Sequence, residues 1–499
     1  MAVHAYEEAA AHFQRSLDVL GRMPSDEARR CQLLISLGDA RSRAGDAEPA
    51  AETFCQAAKV AKKIGDAASL ARAALGFGRA VPIVVVGPNV QHVRLLEEAL
   101  DALGENETPL RIRVMARLAS ELITSDEAPE RGDDVSREAV EIARRVGDKQ
   151  ALGAALSARL SVSWGTAKVE ERAASATEVL RLAEETQDRE LALQAYLRRV
   201  MALIAAGDLR GADRDIEAFT RSAEDLRQPY YLSFTHILRA VRAAMSGRFA
   251  DAEAELEPRA ERGRVVKAVE DARFLHHFRL LREQGRLAEI VDALDAWAKD
   301  YTLLLAYRSS QAMIASELGR ETEVRRLFES LAAHDFRELR IGPARRTALS
   351  NLCEVCHYLG DTRRAALLYP IFLPDEGEFS AQTSVFGCLN PVSHYLGLLA
   401  TTLGRFDDAE RHFEDSLTKA ERLQAPPWIA RTRYCYAEML LRRGGTDDRE
   451  KALSLLGRSL TTADELGMRK LLGDAQALQA KASAEATAEA TAAVSTDAE

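Results

Sequence analysis

The chain is predicted to be all-α, a right-handed α-solenoid of about eleven helix hairpins. Three observations predict it. Small and aromatic residues recur on helical spacing around a turn glycine, as in Leu396, Gly397 and Ala400 before Gly404, and Phe406, Ala409, Phe413 and Ser416 after it. That pattern marks two apolar helix faces meeting at one turn. The unit returns along the chain, with turn glycines at Gly207, Gly247, Gly285, Gly319, Gly360, Gly404 and Gly444, spaced 40, 38, 34, 41, 44 and 40 residues apart. Finally, the 499 residues are 47% hydrophobic but only 6% aromatic. Such a composition favours helices packed through alanine and leucine over a β-rich core.

Taken in order, residues 1–22 read as a half-repeat. Tyr6, Ala9, Phe13 and Ser16 reproduce the spacing of Phe406, Ala409, Phe413 and Ser416, so this is the second helix of a hairpin that lacks its first. The chain thus resembles part of a longer design, or a product trimmed at its front. Residues 23–206 are degenerate repeats. Their first hairpin sets Leu37 and Gly38 before Gly45, and Ala50, Phe54 and Ala57 after it. Asp46 and Asp66 each follow a glycine and are expected to cap the next helix by accepting from its orphan amides. The same Gly-Asp pair returns at residues 147, 207 and 360, a stop–start signal for paired helices. Residues 79–90 (RAVPIVVVGPNV) are β-branched with two prolines, and are expected to form a loop.

Residues 207–480 hold the regular repeats. Five residues after Gly207, Gly247, Gly360 and Gly404 stand Ala212, Ala252, Ala365 and Ala409, and nine residues on comes a large apolar side chain in each copy from Gly207 to Gly404. Phe372 to Asn390 reads as a longer connection. A final helix is expected near Met468–Ala484, and residues 481–499, low in complexity, as a disordered tail. Each hairpin is expected to couple chiefly to its neighbours.

The small–aromatic spacing around the turn resembles the tetratricopeptide repeat. The period near 40 resembles its long-helix variant in bacterial multidomain regulators. LLEEALDALG (95–104), LRQPYY (226–231) and HYLGLLATTLGRFDDAERHFEDSL (394–417) are similar to the C-terminal repeats of such regulators, where a nucleotide cyclase or kinase domain and an ATPase domain come first. The maltose-regulon type of activator has a similar array. The resemblance implies a protein or peptide partner, with ATPase, cyclase or kinase signalling domains, attached or separately encoded, among the candidates.

The candidate chemistry is sparse. The dipeptide Gly-Lys does not occur, so no Walker-type phosphate loop is present. Cys353-Glu354-Val355-Cys356-His357 matches the C-x-x-C-H signature of haem attachment. Yet Cys353 and Cys356 hold the places of Gly397 and Ala400, where cysteine serves as a small hydrophobe. No catalytic residue, cofactor or metal is therefore expected. A net charge of -10 argues against nucleic acid. No apolar run suits a membrane span, and six scattered cysteines suit a reducing cytoplasm.

Recognition is expected on the concave face, lined by the first helix of each pair. Counting back from the turn glycines, that face is predicted to carry Leu197, Met201 and Ile204, then Phe234, Ile237, Val241 and Met245, then Arg279 and Arg282, His357 and Tyr358, and Arg431 and Tyr434. For Leu197 and Ile237, packing between repeats is the stronger reading. The function expected is a non-enzymatic protein-interaction scaffold or regulatory module in bacterial signalling. The alternative is the effector-binding region of a truncated ATPase or cyclase regulator or a transcriptional activator.

Overall fold

Residues 2–22, 26–78, 90–122, 129–257, 267–300, 305–336, 345–382 and 387–496 are described by the computed structural model. Among them lie twenty-four α-helices. A single helix, Ala2–Leu20, is followed by eleven helix pairs, from Glu27–Ala44 with Ala47–Ile64 to Pro426–Arg443 with Asp448–Leu466. The last helix is Arg469–Thr496. The expected loop at 79–90 lies outside the described residues except for Val90, which opens the helix Val90–Leu103. Residue 481 marks no change: the final helix continues to Thr496. The tail is alanine-rich, and alanine is the strongest helix former.

The turns form as their glycines demand. All seven from Gly207 to Gly444 have φ between 63° and 82°, the left-handed region that costs glycine nothing. At Gly207 the amides of Gly207 and Asp208 close onto Ile204 O and Leu203 O, both at 2.9 Å, which satisfies carbonyls the helix end would orphan. Asp66, Asp148, Asp208 and Asp361 then accept from the amide three residues on. Asp46 is a correction, since its side chain makes no capping bond. The residue three positions on is Pro49, which has no N–H to give.

The pairs are locked by an aromatic ring set against a glycine. Phe54 is 0% exposed, and a Cβ on Gly38 or Gly76 would come within 2.8 Å or 2.2 Å of its ring. The ring thus fills the gap between the first helices of two successive hairpins. Phe413 repeats the arrangement at Gly397, with a Cβ-to-ring distance of 2.6 Å, and Tyr436 of the next hairpin stacks on it at 5.7 Å. Burying such a ring stabilises by about 2–3 kcal/mol. It is an array of tetratricopeptide-like hairpins.

The array does not stay open. The first helices Pro229–Met245, Lys267–Gln284, Leu305–Glu317, Arg345–Leu359, Val392–Thr402 and Pro426–Arg443 follow one another, and the sixth comes back against the first. The final helix packs on Lys267–Gln284 and Pro426–Arg443. An apolar seam joins Ala240, Ala243 and Leu280 to Ala430, Ala463, Met468 and Leu471. Three consecutive turns are covered: a Cβ on Gly207, Gly247 or Gly285 would meet Arg422, Leu466 or Lys470 at 2.5, 2.6 and 2.7 Å. At Gly319, Gly360, Gly404 and Gly444 it would meet nothing within 4 Å. Hairpins pack chiefly on their neighbours, as expected, but the superhelix also coils tightly enough for its C-terminal hairpins to dock on its middle. One apolar core runs from Leu160 to Ala475, without a break at 206/207. The connection from Phe372 to Asn390 carries a two-stranded antiparallel ladder, Phe379–Gln382 with Gly387–Pro391, which lies against the helix Arg189–Ala206.

Candidate functional site

Closing the ring sorts the predicted groove residues into two groups. Met201, Phe234, Val241 and Met245 are 1%, 0%, 6% and 3% exposed, and Leu197, Ile204 and Ile237 are likewise buried. For Met201, Phe234, Val241, Met245 and Ile204 these are corrections, since they present no free face, whereas burial is the stronger reading already given for Leu197 and Ile237. The ladder lies against Arg189–Ala206, and Pro229–Met245 packs on both Lys267–Gln284 and Pro426–Arg443, so the inner stripes of these two helices are covered.

The polar group converges. Arg282 on Lys267–Gln284 donates to Glu317 at 2.8 Å and to Glu354 at 2.5 Å. Arg431 on Pro426–Arg443 donates to Glu283 at 3.0 Å and lies 3.8 Å from Glu317. His357 faces Thr402 Oγ1 at 3.0 Å through Nδ1, and Glu438 at 3.4 Å through Nε2. His394 Nδ1 is 3.0 Å from Thr432 Oγ1. Arg279 and Tyr434, half-buried, lie on the same two arginine-bearing helices. Tyr358, next to His357, is 45% exposed.

Electrostatics follow from burial opposed by ion pairing. Burial alone would raise the Glu317 carboxyl, but Arg282 and Arg431 hold it below the usual carboxylate range. Burial works against the Arg282 charge too, and Glu354, Glu317 and Glu283 outweigh it, so its pKa is raised. Burial first, then Arg431, Arg282 and His357, pushes His394 down to about 3, so that ring is neutral at ordinary pH. Opposite charges thus hold each other in a site mostly closed to water.

A second polar cluster ties residues 164–172 to the helix Arg345–Leu359 and the connection that follows its hairpin. Glu378 accepts from Arg172 at 2.5 Å and from the Val169 amide at 3.1 Å. Asp375 takes Arg346 at 3.0 Å and also pairs with Arg345. Arg346 reaches the carbonyls of Trp164 and Ala167 at 3.1 and 3.3 Å. Among the described residues, the hydrogen bonds spanning the longest stretches of chain, 148 to 209 residues, all lie in these two clusters.

The Cys353–His357 motif gathers no ligand set. Both thiols are 0% exposed, and burial pushes Cys356 up to about 12 and raises Cys353 as well. No group of metal-ligating side chains occurs among the described residues, and no helix among them is long and apolar enough to cross a membrane.

Sequence reasoning missed the carboxylates Glu283, Glu317, Glu354 and Glu438. A usable signal was present: Arg279, Glu354 and Glu438 each stand six residues before a turn glycine, where Met201 and Val241 stand in other copies.

No family model and no curated protein matches the sequence. Solved structures align with it over nearly its whole length. The crystal structure of the APC/C hetero-tetramer Cut9–Hcn1 shares 12% identity over 95% of this chain and 94% of that chain, with a TM-score of 0.35. The yeast Tom70 crystal structure shares 12% over 97% and 96%, with a TM-score of 0.26. A circular tandem repeat protein with novel repeat topology shares 16% over 99% and 92%, with a TM-score of 0.17. At such scores the likeness adds nothing to the hairpin packing.

Proposed function

We propose that the chain is a non-enzymatic scaffold that binds a partner protein or peptide at the inner edge of its ring of first helices. The supporting observation is convergence. Arg279, Arg282, His357, Arg431 and Tyr434, picked by their offset from turn glycines, lie on three helices that meet around one ion-paired centre. The repeated residues are occupied in packing, so recognition falls to those that differ between copies. The buried pairs hold the frame, and the contact surface is the rim: Tyr358, Glu438 and the exposed Arg442. Exposed tyrosine and arginine side chains suit a protein interface. The partners proposed from the resemblance are ATPase, cyclase or kinase domains of bacterial signalling, attached or separately encoded, in the cytoplasm, with no direct role for nucleic acid or membrane.

A photo-crosslinking residue at position 358 tests this against one at position 325, on the outer helix Glu321–Leu331. Adducts with a discrete partner are expected at 358 alone and weaken with Arg442→Glu. Equal labelling at both positions, or none at 358, rejects the rim. A second reading, an array sensing a small effector, is supported by one observation, the surroundings of Arg198.

A further inference from the structure

Among the described residues, several buried arginines face carboxylates. Arg172 meets Glu378, Arg282 meets Glu317 and Glu354, Arg345 and Arg346 meet Asp375, and Arg431 meets Glu283. Arg198 differs. It lies on the first helix Arg189–Ala206 and is 8% exposed. Its guanidinium donates to Ser161 Oγ at 2.6 Å and to Gln194 O at 3.3 Å, both neutral acceptors. Among the described residues no Asp or Glu pairs with it. The side chains close enough to act on its charge are Tyr230 and Tyr231 at the start of the helix Pro229–Met245. Burial pushes its pKa down to about 10. A guanidinium stays charged even so, and a charge removed from water without a counter-ion is costly. Its fork also presents more N–H groups than two acceptors satisfy.

We propose that Arg198, with Ser161 beside it, is the anchor of a binding site for a small oxyanion, a carboxylate or phosphate group that supplies the missing counter-charge. The group belongs either to a free acid or to an acidic side chain of a partner. Arg198 fits this role through its planar fork, which takes two oxygens at once, and the Ser161 hydroxyl supplies a further polar contact. The site is separate from the rim around Tyr358, so its test stands apart from that of partner binding.

The test uses the full chain in chloride buffer at constant ionic strength, with thermal unfolding followed during titration of sodium acetate, inorganic phosphate and a hexaglutamate peptide. Ligands that bind the folded state raise Tm as concentration rises. The wild type is expected to respond to at least one probe, Arg198→Met to lose the response, and Arg198→Lys to keep part of it. In chloride alone Arg198→Met is expected to be as stable as the wild type or more so, because an uncompensated charge has been removed. Response to the free anions identifies a small acid as the source; response to the peptide alone identifies a partner's side chain. No response to any probe, or equal responses in wild type and Arg198→Met, overturns the proposal. If Arg198→Met fails to fold, the same comparison with Arg198→Lys and Ser161→Ala decides it, since both must weaken the response.

Discussion

Arg431 donates to Glu283 at 3.0 Å across 148 residues of chain, and this bond joins hairpins that are not neighbours in the array. Its partners are 17% and 21% exposed, so neither charge is well solvated. A buried pair of this kind contributes to geometry more than to net stability, because desolvation offsets much of the attraction. Breaking one side is a different matter, since the other charge stays behind.

Glu283→Gln and Arg431→Met are therefore each expected to destabilise the chain by about 2–3 kcal/mol, somewhat below the cost for a fully buried pair. The double variant is expected to lose clearly less than the sum. Urea unfolding measures the energies, and small-angle scattering shows whether the radius of gyration grows as the ring opens. Additive losses with an unchanged radius would mean the pair does not hold the ring shut.

A matched pair of glycines isolates the same closure without touching a charge. Gly285 and Gly319 have φ of 69° and 70°, so alanine at either position suffers the same left-handed penalty of about 1–2 kcal/mol. They differ in what lies beyond: a Cβ at Gly285 would sit 2.7 Å from the Lys470 amide nitrogen, whereas at Gly319 it meets nothing within 4 Å. Gly285→Ala is expected to lose a further roughly 1–3 kcal/mol by overpacking. It is also expected to raise hydrogen exchange in residues 469–485, with Gly319→Ala leaving that segment protected. Equal effects from both would place the final helix away from the Gly285 turn.

Capping offers a finer contrast. Asp66 accepts from the Ser69 amide at 3.0 Å, and Asp46, facing Pro49, accepts no capping bond. Asp66→Ala is expected to cost about 1 kcal/mol, and Asp46→Ala no more than a few tenths. Denaturation midpoints of the two variants, at unchanged m-value, are the measurement. Equal losses would imply that Asp46 caps in solution.

These contrasts separate what was legible in the sequence from what was not. Gly38 with Phe54, and Gly397 with Phe413, could be read because both partners sit within one hairpin, where helical spacing dictates which faces meet. The turn glycines and four of the aspartate caps were local in the same way. Asp46 failed for a local reason too, one visible in Pro49. The inner residues Met201, Phe234, Val241 and Met245 were misplaced because their exposure depends on how tightly the superhelix coils, a small rotation per hairpin summed over several copies. No periodicity encodes that sum. For the same reason Arg431 could be named as an inner residue while Glu283, its partner, could not.

Acid titration of His394 gives the last prediction. Free histidine gains its proton near 6.5, but inside the fold, burial chiefly and the nearby Arg431, Arg282 and His357 hold His394 down to about 3. Between those values the unfolded chain binds a proton that the folded chain refuses, so lowering the pH favours unfolding. The stability is fully present above about pH 6.5 and declines as pH falls toward 3. At pH 5 the deficit is about 2 kcal/mol, at roughly 1.4 kcal/mol per unit. His412, fully buried and also held below 6.5 by burial and Arg411, adds to the same slope. Carboxylates such as Glu121 act lower: there burial works upward, Arg117 and His92 prevail, and the pKa falls to about 2, so its contribution disappears only below about pH 4.5. His394→Asn is expected to lower stability at pH 7.5 through its altered packing, yet to flatten the fall between pH 7.5 and pH 5 without abolishing the part due to His412. Urea unfolding of both proteins at those two pH values decides it, and parallel losses would mean that His394 takes up its proton without unfolding the chain.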